Sequence, residues 1–155
     1  MAVYLIATVL MVLADVITKL AALKYLKPVG TFPVIKDVFH LTFCKNTGAA
    51  FSMFSGKPYI LAVFSIIVIL AITAYILKTR PKSRTLMWAL SMIVAGGTGN
   101  VIDRVLRGYV VDFFDFRIIN FAIFNVADIF VCVGTALLGI YLFFIEGKME
   151  KKNDL

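Results

Sequence analysis

Histidine, cysteine and charge are all scarce in this chain of 155 residues, which holds one histidine, two cysteines and 16% charged positions. The single histidine, His40, stands in a strand-like stretch and reads as structural. No Ser/His/Asp set can be assembled around it, and there is no HExxH zinc site. Cys44 lies in a polar connection and Cys132 inside an apolar run. They have neither metal-ligand spacing nor a pairing signal, so both read as free packing residues, and no metal or cofactor is expected. Soluble domains carry about a quarter charged residues and about half apolar ones. Here 61% of residues are hydrophobic and the mean hydropathy is +0.95, which excludes the ordinary soluble class.

Long apolar runs are what the chain does have. A hydrocarbon core ~30 Å thick takes about 20 helical residues to cross. Four runs qualify, at residues 3–25, 59–77, 85–102 and 122–145. The first lacks a basic leading segment and a small-residue cleavage site, so it reads as a retained span rather than a removable leader. The net charge of +7 does not point to nucleic acid, because the basic residues flank apolar runs and form no soluble patch. Anionic headgroups are their expected neighbours, making membrane lipid a partner.

Orientation follows from where those bases cluster. KTRPKSR, between the second and third spans, holds four basic residues in seven and no acid. Dense basic loops stay cytoplasmic, and an even span count puts both termini on that side. Residues 27–58 and 103–121 then face outward. The first connection contains TFPVIKDVFHLTF, whose β-branched and aromatic residues predict short strands near residues 31–44. The second contains RGYVVDFFDFRIINF, an aromatic loop expected at the bilayer surface.

Against this apolar background the polar residues stand out. A carboxylate at mid-bilayer costs ~2.5–3.5 kcal/mol on insertion scales, so such residues are functional candidates by default. Asp15, Thr18 and Lys19 fall at i, i+3 and i+4 in the first span, and Asn100, Asp103 and Arg104 repeat that spacing near the end of the third. Asn125 and Asp128 stand at i and i+3 in the fourth, so each set shares a helix stripe. Asp15 with Lys19 also reads as a self-neutralising ion pair, and Asp103 with Arg104 as a headgroup anchor. Asp128 has no base within a turn, which favours a functional role. The run Ala95, Gly96, Gly97 and Gly99 would let a neighbouring helix approach closely.

Two motifs fail on context. GTGN, residues 97–100, resembles a phosphate-cradling loop but lies inside an apolar helix with no preceding strand. It also approaches the GxGD of presenilin-type intramembrane proteases, with asparagine where that family has its aspartate. What remains is a pair of acids, Asp112 and Asp128, placed to meet just below the outer surface. Two carboxyls in one small dry site share about one proton. The ionised one can take a proton from water while the protonated one polarises a carbonyl, which is aspartic-protease chemistry. Asp115, three residues after Asp112, is the fallback. On a strand the two would point to opposite faces and on a helix to the same one. A proton-coupled transporter and a non-enzymatic assembly subunit are the competing readings of the same acids.

In order along the chain stand DVITK (residues 15–19), NTGAAFS (46–52), GNVIDR (99–104), GYVVDF (108–113) and FNVAD (124–128). Five pieces in this order with four spans resemble the bacterial lipoprotein signal peptidases, the type II signal peptidases, over essentially the whole chain. The resemblance implies one integral membrane peptidase domain over residues 1–155. Its fold is an all-α membrane protein of four transmembrane helices with a small extracytoplasmic β-cradle and a mobile outer loop. It further implies a monomeric, multi-pass enzyme of the bacterial cytoplasmic (inner) membrane with its active site near the outer face. The expected activity is removal of the signal peptide from diacylglyceryl-modified prolipoproteins, cutting on the N-terminal side of the lipidated cysteine. Asp112 and Asp128 match the family's catalytic aspartates. Asn46, Asn100, Asp103, Arg104 and Asn125 match its polar residues around them, while Asp15 and Lys19 match a first-span motif expected to support the fold or substrate path. Inhibition by globomycin-type cyclic peptides is implied as well.

Overall fold

The computed structural model describes residues 1–48, 56–119 and 121–146. Helix α1 (Ala2–Ala21) continues through a π-helical turn, Ala22–Leu26, into strands β1 (Thr31–Ile35) and β2 (Phe39–Asn46). Helices α2 (Pro58–Thr79) and α3 (Arg84–Arg107) follow, then β3 (Val110–Phe116), a 3-10 turn at Arg117–Ile119, and α4 (Val126–Ile140) with a π-helical continuation, Tyr141–Glu146. Among the described residues, four helices are long and apolar enough to span a bilayer: Ala2–Leu26, Pro58–Thr79, Arg84–Arg107 and Val126–Phe144. The later part of NTGAAFS, residues 49–52, lies outside the described residues.

Helix α1 buries the opposite of what a helix in a soluble bundle buries. In α1 the buried residues are Asp15 and Lys19, while Leu5, Leu10, Leu13 and Ile17 are exposed. Helix α3 is the axis of the bundle, with 50% of its apolar window buried by protein, against 17% for α1 and for α4 and 6% for α2. Its mean hydropathy, 1.4, is the lowest of the four, as expected of the helix that meets least lipid. Small residues let α4 lie against it. A Cβ at Gly96 would overlap the Ala127 carbonyl oxygen, and one at Gly134 would stand 2.8 Å from the Ala89 carbonyl.

Two span boundaries differ from expectation, each for a local reason. The third helix does not stop at residue 102 but runs to Arg107, where Gly108 (φ 74°) takes the left-handed conformation that ends helices and returns its N–H to the Arg104 carbonyl. The fourth begins at Val126 rather than residue 122. Phe124 is extended, pairing with Phe114 of β3 through backbone bonds in both directions. Asn125 is the N-cap of α4, accepting from the Asp128 N–H, and the Asp128 side chain accepts from the Asn125 N–H. Their i, i+3 spacing is thus a capping box, worth about 1 kcal/mol, and not a shared stripe within a helix. Asp128 accordingly sits in the first turn of α4.

The strands form an antiparallel sheet in the order β1-β2-β3, at the bundle end where α1 and α3 finish and α4 begins. The strand signals near residues 31–44 are borne out by β1 and β2. The aromatic segment read as a loop is instead a third strand. Between Leu41 and Cys44 the β2–β3 register shifts by one residue. Thr42 and Phe43 therefore share the face of Val111, Phe113 and Asp115, whereas Cys44 and Asn46 share the face of Asp112. The sheet is seated on the π-helical turn after α1 by Ala22, Leu26, Val111 and Phe113, with Leu41, Phe43 and Val126 packed around them.

Candidate active site

Asp112 and Asp128 are held on either side of Asn125. The Asn125 side-chain Nδ2 donates to Asp112 Oδ1 at 2.6 Å, and its backbone N–H donates to Asp128 Oδ2 at 3.1 Å. Asp112 is also bonded through Oδ2 by Asn46 Nδ2 at 2.9 Å. Asn46 reaches it because the bulge in β2 places that side chain on the Asp112 face. Asp128 is bonded through Oδ1 by Asn100 Nδ2 at 2.8 Å. Both carboxylates line one cavity of about 780 Å³, within the size range of ligand pockets. Its polar wall holds Asn46, Asn100 and Arg104, and its apolar wall Phe121, Ile123, Phe124, Ile129, Val131 and Val133.

The other residues singled out from the sequence stand behind this pair. Lys19 Nζ donates to Asn100 Oδ1 at 2.8 Å, pairs with Asp15 at 2.8 Å and lies 3.6 Å from Asp103. Asp15 Oδ1 accepts from the Ala127 N–H at 2.9 Å, so a carboxylate of α1 caps the start of α4. A Cβ at Gly99 would overlap the Asp15 carboxylate, which explains the glycine there. Asp103 pairs with Arg107 and accepts from the Val111 N–H at 2.9 Å, fixing the start of β3 next to Asp112. Arg104 reaches out from α3 to the Gly48 carbonyl at 3.0 Å and acts through space on Asp128, Asp112 and Asp103. Except for Arg104, every one of these side chains belongs to a single hydrogen-bonded and ion-paired network.

Asp115 lies on the opposite face of β3, as strand alternation requires. It accepts from Thr42 Oγ1 at 2.6 Å and from Arg117 Nε at 3.1 Å, away from the cavity. Burial alone would raise its pKa, but those bonds and the Arg117 charge outweigh burial and hold the carboxyl below its usual range. Asp112 behaves in the opposite way. Burial first, then the Asp128 charge, push its pKa up to about 7, against the lowering pull of the Asn46 and Asn125 hydrogen bonds. His40 is buried beside Thr31 on the Asp115 face and takes no part in the cavity. Among the described residues no group of three or more His, Cys, Asp or Glu could hold a metal ion.

Sequence reasoning missed the cavity positions of Cys44 and Cys132, which are free thiols lining it rather than packing residues. Cys44 pairs across the strands with Asp112. Burial and the charges of Asp112 and Asp115 raise its thiol pKa and keep it protonated. A strand assignment for residues 110–116 alone would not have found this pairing, which depends on the register shift between Leu41 and Cys44. The link from Lys19 to Asn100, 81 positions apart, had no signal in the sequence at all.

Residues 7–144 match the family described as signal peptidase (SPase) II. A lipoprotein signal peptidase of Caldanaerobacter subterraneus subsp. tengcongensis is 44% identical over 147 residues, covering 95% of this chain and 99% of that one. One from Clostridium acetobutylicum is 42% identical over 144 residues, 91% of this chain and 94% of the relative. A solved bacterial membrane enzyme superposes with a TM-score of 0.83 at 34% identity, over 92% of this chain and 88% of that structure. Match, identity and fold agree over nearly the full length, and the chain belongs to the signal peptidase II family.

Proposed function

We propose that this peptidase is an aspartic endopeptidase that removes the signal peptide from diacylglyceryl-modified prolipoproteins, with Asp112 and Asp128 as its catalytic pair. The observation that carries the reading is the placement of both carboxyls on one cavity at either side of Asn125. Asp112 is the buried partner poised to keep its proton, which leaves Asp128 the role of base. Asp128 takes a proton from a water molecule as its oxygen attacks the scissile carbonyl carbon, while Asp112 gives its proton to the carbonyl oxygen. The tetrahedral diol then collapses. Asp112 recovers a proton from the diol, and the proton held by Asp128 goes to the departing amine, so the pair ends as it began.

Several features support the substrate and setting. The apolar wall from Phe121 to Val133 suits acyl chains, and its polar wall suits a peptide backbone. Asp103 is about 28 Å along α3 from Arg84, close to the thickness of a hydrocarbon core. The cavity is therefore remote from the basic connection at residues 80–83. With that connection and both termini cytoplasmic, as the basic residues argue, the cut falls at the outer face of the inner membrane. Membership of the family supports a cut on the N-terminal side of the lipidated cysteine. A globomycin-type cyclic peptide would occupy the same cavity in competition with substrate.

The purified chain, offered a diacylglyceryl-modified precursor and its unlipidated twin, is expected to cleave only the first. Equal cleavage of both would remove the lipid from the specificity, and cleavage of neither would remove the reaction. The pH profile supplies a second test. Asp112 must hold its proton to act as the acid, and its pKa is raised to about 7. Activity is present below that value and is lost as pH rises through it, so kcat/KM should fall above neutrality with a single proton's slope. A profile flat from pH 6 to pH 9 would show that Asp112 is not the acid.

A further inference from the structure

We propose that Lys19 is a positioning residue: its ammonium dictates which way the Asn100 amide points, and through that amide which aspartate carries the negative charge. The inference rests on the aspartic reading above. Lys19 touches neither Asp112 nor Asp128. Its contacts are Asp15, Asp103 and Asn100 Oδ1. An ammonium has donors and no acceptor, and Lys19 is 2% exposed, so water offers it no alternative partner. The Asn100 oxygen must therefore face Lys19, which leaves only Nδ2–H for Asp128 Oδ1, at 2.8 Å. Reversing the amide would aim an N–H at the ammonium and an oxygen at the carboxylate, a mismatch at both ends.

The second amide of the site is fixed by an equally unambiguous donor. Asn125 Oδ1 accepts the Asp128 N–H at 3.0 Å, so its Nδ2 has to donate, and it does so to Asp112 Oδ1 and to Asn100 Oδ1 at 3.2 Å. Asn100 Oδ1 thus receives two donors, Lys19 and Asn125, and the ammonium is the stronger. Asp128 gains the Asn100 donor in addition to the Asn125 backbone N–H at the start of α4. Both favour its charged form.

The charged and titratable groups around this relay are few. Arg104 and Asp112 act on Asp128, Asp15 and Asp103 face Lys19, Arg107 pairs with Asp103, and the Cys44 thiol lines the same cavity. Asp15 and Asp103 are themselves engaged by the Ala127 and Val111 N–H groups. The ammonium is thereby anchored on two elements while its third contact orients Asn100.

The test is the pH dependence of kcat/KM for the full chain in lipid with a diacylglyceryl-modified precursor. In Lys19→Met the amide loses the stronger of its two orienting donors and keeps only Asn125, and the acid limb, which reports ionisation of Asp128, should move up by about one pH unit. Activity below the limb should fall about tenfold through kcat, with KM nearly unchanged. Because Lys19→Met leaves the Asp15 carboxylate without its ammonium, the charge-balanced pair Asp15→Asn with Lys19→Met is measured alongside. That pair keeps an oxygen for the Ala127 N–H and should show the same displaced limb. Asn100→Ala alone should also displace it, and adding Lys19→Met to Asn100→Ala should displace it no further.

A limb that stays in place in the charge-balanced pair or in Asn100→Ala overturns the proposal, even if activity drops evenly at every pH. So does a second displacement of similar size in the Asn100→Ala background, which would mean that the ammonium acts on Asp128 by charge alone. These failures are distinct from failure of the aspartic reading, which would appear as cleavage surviving in Asp112→Asn or Asp128→Asn.

Discussion

Asp112→Asn and Asp128→Asn each remove cleavage of the lipidated precursor, with kcat lowered about ten-thousand-fold or more, while the chain still folds and inserts. The two losses differ in origin. Asparagine at 112 has no proton to deliver to the carbonyl oxygen, and asparagine at 128 cannot accept one from water. Neither change opens a cavity, because the amide fills the volume of the carboxyl. Each leaves one N–H facing a donor amide, Asn46 or Asn125 at one site and Asn100 at the other, at a cost of about 1–3 kcal/mol. Thermal unfolding of the purified variants should therefore shift down by several degrees, about 10 °C at most, too little to account for the lost cleavage. Undiminished cleavage by either folded variant removes that residue from the mechanism.

Gly96→Val should be the most damaging single change to the bundle. The first atom it adds meets the Ala127 carbonyl, a backbone group in the first turn of α4, and then the Val131 side chain and backbone. Backbone there cannot rotate away, so α3 and α4 must separate, at a cost of about 3 kcal/mol or more. Ala127 lies between Asn125 and Asp128, so the same displacement pulls Asp128 away from Asp112. Cleavage should fall by more than the loss of folded protein explains. Gly97→Ala is the control one residue on. Its Cβ meets only the tip of the Ile69 side chain, at 3.2 Å, which can turn aside. A Gly96→Val protein that unfolds at the same temperature as Gly97→Ala would show that the seam is not closely packed.

The spans were legible because hydropathy over some 20 residues integrates a large signal. The first span agrees with expectation to within a residue at each end. Boundaries set by single residues were harder. The run from Ala122 to Phe124 is as oily as the helix it precedes, and only the Asn125–Asp128 box marks where turning begins. Gly108 in the same way marks the end of α3, but a glycine in sequence does not announce its φ. VVDFFDF is apolar at every odd and even position except its two acids, so alternation could not separate strand from loop. The acids themselves were legible from their cost in lipid. Their partners were not, since the Lys19–Asn100 and Asn46–Asp112 bonds join elements that only the fold brings together.

The bulge in β2 gives that strand two phases. Up to Leu41 it is in step with the aromatic end of β3, and from Cys44 onward it is in step with Asp112. One residue more or fewer between these points would swap Asn46 for its exposed neighbour Lys45 on the Asp112 face, bringing an ammonium where an amide now donates. Such a change alters no residue type in the site and still rewrites its chemistry. The chemistry of the cradle therefore depends on the length of β2 as much as on its residues, so that this strand behaves less like a scaffold than like a reading frame.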